Sequence, residues 1–485
     1  MRTRSYDTYR ATGDEWLVRL PKHWELVPLR QVGKFLKGSG GSKEDAQATG
    51  GFPCIRYGDL YTAHRGFVRE AVSYISPAKA SQYTPLQTGD ALFAASGETI
   101  EEIGKSAVNL LEHTAYCGGD VIVLRPQRPM VSGYLGYALD CRPVTIQKSL
   151  RGRGITVMHV YPSQLKSVVL PLPPIEEQDV IARFLEHATR RIDRYIRAKE
   201  KLIVVLGEQE RALVHEAVTG QIDVRTGQPY PTYGASGIEW QDEVPGHWGM
   251  RRLGTVARVF NGSTPSRSEP AYWAGGTIPW LNSSKVNDGV VVEPSEYVTA
   301  RALEECSIVE VPCGAVIVGL VGQGRTRGLA ASLGIEATIS QNLAAVVPTG
   351  PLGGRYLQYL LSAQYEHLRD LGRGGNQEAL NCDLVGRLPV QMPSAAEQAA
   401  IVEHLDRSLT KVRAARTRVD RQIAVVKEYR TRLIEDVVTG KLDVRDAAVR
   451  LDERTTIGGI GARDGHEADP GPGAAKRGFA MEAES

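Results

Sequence analysis

The sequence predicts an α+β fold in which two related mixed domains are joined by two long helices. Three observations lead to this prediction. Two helical stretches end on matching motifs 220 residues apart, the segments that open the two domains match at an offset of 224 residues, and short apolar runs separated by glycine- and proline-containing turns fill each domain. At 485 residues the chain has room for roughly two to four domains.

The composition is that of a water-soluble globular protein, with 42% hydrophobic and 24% charged residues. No apolar run approaches membrane length, and the first residues lack the apolar region of a secretory signal. We therefore expect a cytoplasmic protein without a membrane partner. The six cysteines form no Cys-x-x-Cys pair, so we expect buried free thiols and neither disulfides nor a metal site.

The balance of charge differs between the two halves of the chain. The net charge is +2 and the isoelectric point is about 8.1, below the value of ~9 that strongly basic nucleic-acid-binding domains exceed. Residues 21–173 contain 17 basic and 12 acidic residues, whereas residues 245–393 contain 12 of each. The first half could attract phosphates over its surface, and the second would need a local basic patch.

The beginning of the chain reappears in its middle. The matched positions include Tyr9/Tyr233, Gly13/Gly237, Trp16/Trp240, Trp24/Trp248 and Gly38/Gly262. Such self-similarity indicates a duplication, and we predict one domain within residues 1–173 and a second, with its linker, within 226–393. The intervening stretches, roughly 39–88 and 263–311, resemble each other poorly, which predicts one scaffold with two different surfaces. Trp24 and Trp248 are expected to be core residues.

Each domain contains apolar runs of strand length and one helical pattern near its end. The strand-like runs are Ala91–Ala95, Asp120–Leu124, Ala315–Val318 and Leu343–Val347. The helical patterns are Tyr134–Leu139 and Tyr356–Leu361. Mixed strands and helices of this kind indicate an α/β arrangement within each domain.

Two long spacer helices are predicted within residues 174–225 and 394–445. Ser394 and Glu397 form a capping box at the start of the second helix, and Gly220 and Gly440 are natural residues to end the helices. About 44 residues at a rise of ~1.5 Å would give a rod of about 66 Å. After Arg445 the periodicity is lost, and residues 446–485 are predicted to form a disordered tail.

Apolar residues recur along both helices at alternating steps of four and three. A spacing that averages 3.5 residues predicts a left-handed coiled-coil seam. The principal seam positions are Ile181, Leu185, Ile192, Leu202, Leu206, Leu213, Ile401, Leu405, Val412, Val419, Val426 and Leu433. Pairing of the two helices with each other is the simplest way to bury both stripes, and the alternative is that each helix is buried separately in a core.

A search for catalytic and metal-binding motifs finds only incomplete matches. Gly104-Lys105-Ser106 resembles the end of a Walker A loop, but Thr99 stands where the first glycine is required. His215-Glu216 is followed by Thr219 where a zinc protease needs histidine. We therefore predict no catalytic residue and no metal ligand in this chain.

Glycine-rich loops with arginine or amide side chains are better suited to binding DNA. Glycine lets the backbone approach a phosphate, arginine suits phosphate or guanine, and asparagine or glutamine suits adenine. The candidate DNA-binding residues are Arg151, Arg153, Asn282, Ser283, Lys285, Gln323, Arg325, Arg327, Arg373, Asn376 and Gln377. For any one of them an ordinary polar loop is the alternative, and their recurrence in both halves favours DNA.

Taken together, the repeat, the helices and the loops resemble the specificity subunit of type I restriction–modification systems. The resemblance rests on the Leu-Pro and Glu-Gln motifs before each long helix, on the exits Thr219–Val224 and Thr439–Val444, and on the Trp-containing openings. It spans residues 5–445. It implies two DNA target recognition domains joined by an antiparallel coiled coil that acts as a ruler on a split double-stranded DNA site.

The resemblance also implies partner subunits. Two modification subunits would dock on the coiled-coil residues and use S-adenosylmethionine, and restriction subunits would use ATP and Mg²⁺. None of those cofactors is expected to bind this chain. Two other classes remain open: a coiled-coil interaction scaffold that does not read DNA sequence, and a stand-alone nuclease or methyltransferase, against which the missing cofactor motifs argue.

Overall fold

The computed structural model describes residues 4–449, apart from 41–44, 46–48, 98, 100–102, 155–157, 239, 323 and 373–378. The chain divides into two compact units. Unit 1 comprises residues 1–196 and 424–485, and unit 2 comprises residues 197–423. Each long helix therefore contributes one part to each unit.

Unit 1 contains two mixed sheets and several short helices. Its strands are β1 (Tyr9–Ala11), β2 (Arg19–Pro21), β3 (Glu25–Pro28), β4 (Gly33–Lys37), β5 (Phe52–Ile55), β6 (Gly66–Val68), β7 (Tyr74–Ile75), β8 (Thr84–Leu86), β9 (Ala91–Ala94), β10 (Ser96–Gly97), β11 (Ser106–Asn109), β12 (Ala115–Cys117), β13 (Val121–Pro126), β14 (Met158–His159) and β15 (Val169–Leu172). Its α-helices are α1 (Leu29–Val32), α2 (Tyr57–Thr62), α3 (Ser132–Asp140), α4 (Arg142–Ser149), α5 (Pro162–Leu165) and the first part of the long helix α6 (Ile175–Thr219).

Unit 2 contains the corresponding elements. Its strands are β16 (Tyr233–Ile238), β17 (Gln241–Pro245), β18 (Gly249–Arg252), β19 (Ala257–Asn261), β20 (Ile278–Leu281), β21 (Val290–Val291), β22 (Glu296–Val298), β23 (Glu310–Val311), β24 (Val316–Gly319), β25 (Ala330–Leu333), β26 (Ala337–Ile339), β27 (Leu343–Pro348) and β28 (Pro389–Met392). Its α-helices are α7 (Leu253–Val256), α8 (Ala300–Glu305), α9 (Gly354–Ala363), α10 (Tyr365–Asp370), α11 (Cys382–Gly386) and the first part of the long helix α12 (Ala395–Val438).

The two units share one sheet topology. Unit 1 has a five-stranded sheet of order β4-β13-β9-β11-β6 and a four-stranded sheet of order β7-β5-β12-β8, and unit 2 repeats them as β19-β27-β24-β25-β21 and β22-β20-β26-β23. The parallel pairs also correspond, because β11 pairs with β6 as β25 pairs with β21. The duplicated α+β fold is confirmed, and it extends through the stretches whose sequences match poorly.

Two equivalent glycines are required by a close approach of the backbone. A Cβ atom added at Gly38 would lie 1.9 Å from the carbonyl oxygen of Gly118, and one added at Gly262 would lie 1.8 Å from that of Ile339. Both distances are far below van der Waals contact, so only glycine fits at either place. The matching glycines in the sequence therefore reflect one local packing arrangement that both units keep.

The apolar runs and the tryptophans lie in the cores, as predicted. Every residue of β9 is buried, and Trp24 and Trp248 are buried in the cores of unit 1 and unit 2. Tyr134 on α3 donates a hydrogen bond to the carbonyl of Pro171 at 2.7 Å, and Tyr356 on α9 donates to that of Gln391 at 3.3 Å. All six cysteines are free thiols, but only Cys54, Cys117 and Cys141 are buried. The expectation of burial is wrong for Cys313, which is exposed, and for Cys306 and Cys382, which are partly exposed.

The long helices run antiparallel, because each unit joins the start of one helix to the end of the other. In unit 1, Leu185 of α6 and Val437 of α12 belong to one hydrophobic core. In unit 2, Val218 of α6 and Leu405 of α12 share another core. The observed lengths of 45 and 44 residues agree with the expected equal helices.

One predicted seam position is corrected in the middle of α6. Leu202 is 38% exposed, whereas the next residue, Ile203, is partly buried, and Ile196 is buried in place of Tyr195. Two successive steps of four residues, from Ala188 through Ile192 to Ile196, shift the apolar stripe. Such a step corrects the drift between the 3.6-residue turn of a straight helix and a 3.5-residue repeat.

The other predicted seam positions face inward to different extents. The buried ones are Ile181, Leu185, Ile401, Leu405, Val412, Val419 and Leu433, and the partly buried ones are Ile192, Leu206, Leu213 and Val426. The least buried positions lie toward the middle of α6. Packing against the sheets and short helices adds to helix–helix packing only near the helix ends, because that is where the two cores lie.

A glutamate near the start of each long helix is held by the same kind of contact. In unit 1, Glu177 accepts a hydrogen bond from the hydroxyl of Tyr6 at 2.5 Å and lies 2.8 Å from Nε2 of His23. In unit 2, Glu397 lies 2.9 Å from Nε2 of His247. Burial alone would raise the pKa of Glu397, but hydrogen bonds from His247 and the capping residue Ser394 outweigh it and hold the pKa below its usual value.

The long helices end at Gly220 and Gly440, which have φ angles of 74° and 69°. The hydroxyl of Tyr9 donates to the carbonyl of Gly440 at 2.9 Å, as that of Tyr233 donates to Gly220 at 3.1 Å. In unit 1, the residues just after α12 therefore contact the N-terminal segment around Tyr9. In unit 2, the equivalent contact forms between residues that are close in sequence, Gly220 and Tyr233. The repeat explains this arrangement, because each long helix ends against the segment that opens a domain, and after α12 that segment is the one at the start of the chain.

The predicted tail begins a few residues too early. Ala447 and Ala448 are buried in the core of unit 1, and the amide of Ala448 donates to the carbonyl of Val444 at 2.9 Å. These small residues can therefore pack against the end of α12. Residues 450–485, the rest of the predicted disordered tail, lie outside the described residues.

Candidate nucleic-acid interface

The first arginine-containing loop of unit 1 follows α4 and uses Arg151 to hold the scaffold together. The Arg151 guanidinium donates from Nη1 to the carbonyl of Gln147 at 2.6 Å and from Nε to the hydroxyl of Ser167 at 2.9 Å. Its carbonyl accepts from Gln164 at 2.7 Å. Burial lowers the pKa of Arg151, and the surrounding acceptors keep its charge partly satisfied without a ligand.

Arg153 differs from Arg151 because its side chain is exposed. Its backbone exchanges two hydrogen bonds with His159, at 2.9 and 2.8 Å. The neighbouring strands β10 and β14 pair there, and the Ser96 hydroxyl lies 3.0 Å from Nδ1 of His159. An exposed arginine whose backbone pairs with that of an exposed histidine suits contact with phosphates and base edges.

Two further polar residues lie close to Ser96 of β10, and they were not predicted from the sequence. Tyr61 donates to the carbonyl of Ser96 at 2.9 Å, and the Lys105 ammonium donates to the carbonyl of Tyr61 at 3.2 Å. They come from α2 and from the turn before β11, so their separation in the chain hides their proximity. Together with Ser96, His159 and Arg153 they define the unit 1 polar patch.

In unit 2, Gly324 and Arg325 are anchored on helix α10. Nη1 of Arg369 donates to the carbonyl of Gly324 at 2.6 Å, and the hydroxyl of Tyr365 donates to that of Arg325 at 2.9 Å. These contacts leave the Arg325 side chain exposed, while Arg327 is buried. Of the two arginines, the structure places only Arg325 where it can meet a large ligand without rearrangement.

The polar run from Asn282 to Lys285 is engaged in local structure. The Asn282 side chain accepts from the amide and the hydroxyl of Ser284, at 3.0 and 2.6 Å, and so caps a short 3-10 helix. Ser283 is partly exposed beside it, and the Lys285 ammonium pairs with Asp288 at 3.0 Å. These residues shape a surface turn, and their contact with DNA stays a prediction.

Four of the candidate residues fall outside the described part of the chain: Gln323, Arg373, Asn376 and Gln377. The nearest described positions are informative for two of them. Next to Gln323, the carbonyl of Gly324 accepts from Nη1 of Arg369, and next to Arg373, a Cβ atom at Gly372 would lie 3.1 Å from Nη1 of the buried Arg327. These four residues stay predictions.

An aromatic cluster in unit 2 was not singled out from the sequence. The rings of Trp273 and Trp280 meet edge to face at 5.2 Å, and the Arg267 guanidinium lies 3.7 Å from the centre of the Trp273 ring. Arg267 also pairs with Glu296, whose oxygen Oε1 lies 2.8 Å from Nη2. The cluster is built from the stretch that diverges most between the halves, and the Trp-Arg spacing is too irregular to signal it.

Two further observations on the described residues concern metal binding and membrane spans. No group of three or more His, Cys, Asp or Glu side chains is arranged there to hold a metal ion. Among the helices of the described chain, none is both long and apolar enough to cross a membrane. The features that remain are exposed arginines and polar loops on two copies of one scaffold.

Comparison with known proteins relates the chain to DNA-specificity domains. A family model described as the type I restriction modification DNA specificity domain matches residues 21–202 and 245–418. The chain is 21% identical over 438 residues to the type I restriction enzyme MjaVIII specificity subunit of Methanocaldococcus jannaschii. This match covers 88% of this chain and 95% of that protein.

Two further matches differ in extent. The EcoR124I/EcoR124II specificity subunit of Escherichia coli is 22% identical over 183 residues, so the match spans less than half of that relative, 45%, and 37% of this chain. A solved chain from work on the structural basis of complex assembly and conformational transition of the type I R-M system has a TM-score of 0.67 at 19% identity, covering 86% of this chain and 98% of the other. At that identity the likeness concerns the fold.

Proposed function

The chain belongs to the type I restriction–modification DNA specificity family, and from that membership we propose how its two units divide the reading of DNA. It is a specificity subunit with two target recognition domains. Each domain reads one half of a split site on double-stranded DNA. The observation that carries this proposal is the repeated sheet order, which supplies one reading scaffold twice.

The exposed loops carry out the reading, and the buried arginines support them. Phosphate contacts position a protein on the duplex, and contacts with base edges specify the sequence. In unit 1, Arg153 and His159 are available for both tasks because they are exposed beside the paired strands β10 and β14. In unit 2, Arg325 is an exposed cation on a different loop, the one between β24 and β25. The two surfaces differ in sequence, so the two half-sites differ.

The long helices set the gap between the half-sites and dock the partner subunits. Domains that bind one face of a duplex lie most easily about one helical turn apart, ~34–36 Å or 10–10.5 base pairs centre to centre. Two modification subunits dock on the helices and supply S-adenosylmethionine chemistry, and restriction subunits supply ATP- and Mg²⁺-dependent steps. This chain is non-catalytic, binds none of those cofactors and works in the cytoplasm.

Mapping of methylated bases tests the proposal directly. The chain is expressed with its modification subunits in a host without other methyltransferases, and the genome is sequenced by a single-molecule method that detects modified bases. We expect one non-palindromic motif with two specified parts and an unspecified gap of constant length. A continuous or palindromic motif would overturn the proposal.

The alternative is a coiled-coil scaffold that recruits partners without reading DNA sequence. Gel-shift titrations distinguish the two functions. The purified complex should bind a duplex carrying the mapped site at least about 10³-fold more tightly than a scrambled duplex of equal length. Equal affinity for the two duplexes, with partner binding intact, would support the scaffold instead.

A further inference from the structure

A cross-helix ion pair joins α6 and α12 in each unit. In unit 1, Nη1 of Arg430 lies 2.5 Å from Oδ1 of Asp193. In unit 2, Arg413 donates from Nη2 and Nε to Oε1 of Glu210, at 2.6 and 2.8 Å. Neither pair is explained by reading DNA, since all four residues lie on the spacer helices.

The two pairs occupy equivalent places, but the charges at these places are reversed. The offset of 220 residues that relates α6 to α12 takes Asp193 to Arg413 and Glu210 to Arg430. The helix α6 is therefore acidic at both contact positions, and α12 is basic at both. The two copies of one ancestral helix have acquired opposite charges where they touch.

This reversal distinguishes the observed pairing from self-pairing. If α6 packed in the same register against α6 of a second copy, Asp193 would face Glu210 at both contacts. If α12 packed against another α12, Arg413 would face Arg430 at both contacts. Only α6 with α12 places opposite charges together, and such flanking or seam charges are known to set partner choice in coiled coils.

Burial makes the unit 1 pair the stronger discriminator. The Arg430 side chain is 7% exposed, and it lies in the seam between Val426 and Leu433. Its Nε and Nη2 atoms are buried without hydrogen-bond partners among the described residues. A second cation or an apolar residue opposite Arg430 would leave its charge uncompensated, which is strongly unfavourable in a buried position.

The unit 2 pair contributes less, because both partners are more accessible to water. The side chains of Arg413 and Glu210 are 56% and 23% exposed. An exposed ion pair is screened and adds little stability. Its effect on partner choice is therefore smaller than that of Asp193 and Arg430 and falls more steeply with added salt.

We propose that these four charges make the pairing of the spacer helices directional. The acidic contact positions of α6 accept the basic helix α12 and reject a second α6. The two halves of the chain thereby recognise each other in preference to the same half of a second copy. These charges act on the folding of the chain itself, which is separate from the proposed reading of DNA.

Charge variants of the intact chain test the proposal by placing like charges at both contacts between α6 and α12. Arg413→Asp with Arg430→Glu gives α12 the charges of α6, and Asp193→Arg with Glu210→Arg gives α6 the charges of α12. Each double variant should lower the thermal unfolding midpoint by several degrees. The quadruple variant, which restores opposite charges with reversed polarity, should recover most of the loss.

A matched control changes the same charges on the exposed face of α12. Arg418→Glu with Arg421→Asp alters the net charge of the helix equally but leaves both ion pairs intact, so its midpoint should stay near that of the wild type. Equal losses in this control and in Arg413→Asp/Arg430→Glu would overturn the proposal. A quadruple variant no more stable than either double variant would also overturn it.

If a double variant does not fold, variants of the exposed pair alone test the same proposal with a smaller loss of stability. In the exposed pair, Glu210→Arg alone should lower the midpoint slightly, and Glu210→Arg with Arg413→Glu should restore it. Both effects should shrink in about 1 M salt, where the Debye length falls to ~3 Å. A restored midpoint without salt dependence, or a lack of restoration, would contradict the proposed electrostatic origin.

Discussion

At Lys148 a charged side chain is held where water has little access. The residue is buried, and its ammonium group donates to the Ser106 hydroxyl and to the carbonyl of Leu139, each at 2.9 Å. Burial lowers its pKa from 10.5 to about 8, against the opposing effect of Asp140. The sequence gives no sign of this, since a lysine near the end of a short helix is normally solvated.

Lys148 should therefore make stability depend on pH. Its folded pKa lies below its unfolded pKa, so between about 8 and 10.5 the folded state binds fewer protons, and the contribution of this group to stability rises with pH. The free energy of unfolding of the wild type relative to Lys148→Met should rise by up to about 3 kcal/mol across this window. Denaturant titrations between these pH values measure it, and parallel profiles for the two proteins would contradict it.

The two loop arginines of unit 1 should respond differently to truncation. Arg153→Ala removes an exposed cation, so it should reduce the slope of log affinity against log salt by about 1 without changing the unfolding midpoint. Arg151→Ala removes hydrogen bonds to Gln147 and Ser167 and should lower the midpoint. Salt-dependent binding assays of the complex and thermal unfolding separate the effects, and the reverse pattern would exclude Arg153 as a phosphate contact.

At the scale of elements, the ends of the long helices depend on glycine more than their middle does. A Cβ atom at Gly440 would lie 2.4 Å from Cδ of Pro21, and the residue has a positive φ angle. Gly207, within α6, has no atom within 4 Å of an added Cβ. Glycine is therefore required at Gly440, whereas at Gly207 it only lowers the stability of the helix.

Alanine at these two glycines should change stability in opposite directions. Gly440→Ala should cost about 1–3 kcal/mol, because it adds backbone strain and a clash. Gly207→Ala should stabilise the chain by roughly 0.5–1 kcal/mol, because alanine favours the helix and restricts the unfolded state. Denaturant unfolding of both variants measures this. A stabilised Gly440→Ala would mean that the helix end can relax.

At the scale of the whole molecule, the proposed ruler predicts that the length of the two helices sets the gap in the DNA site. Both helices are continuous through their full lengths, and a straight helix drifts by only ~20° per seven residues. Seven residues inserted at matching points of both helices preserve the phase of the seam and add about 10.5 Å of helix. Insertions that keep the phase are therefore the natural test of a ruler.

Such a paired insertion should lengthen the unread gap by about three base pairs, given 3.4 Å per base pair, and leave both half-sites unchanged. Methylation mapping of the modified complex gives the result. The control is a seven-residue insertion in α6 alone, which misaligns the ion pairs and should lower the unfolding midpoint. An unchanged gap in a stable double-insertion protein would refute the ruler.

The sequence by itself determined the duplicated fold, the two long helices and the main buried strands. These follow from local information: the period of apolar residues, the capping box at Ser394, the glycines at helix ends and the repetition of each signal. The cyclic order of the repeat also predicted that Arg445, just after the second long helix, lies near the segment around Tyr9. Because each signal lies within a few neighbouring residues, no long-range contact has to be known to read it.

Only the tertiary structure decided where ambiguous side chains point. Tyr195 and Ile196 both fit an apolar stripe, and the structure buries Ile196 and exposes Tyr195, because the straight helix drifts from the 3.5-residue repeat. Arg325 and Arg327 look alike in the sequence, yet the anchoring of the loop by Arg369 exposes one while the other is buried. Such choices depend on contacts between residues far apart in the chain, which neither periodicity nor motif spacing encodes.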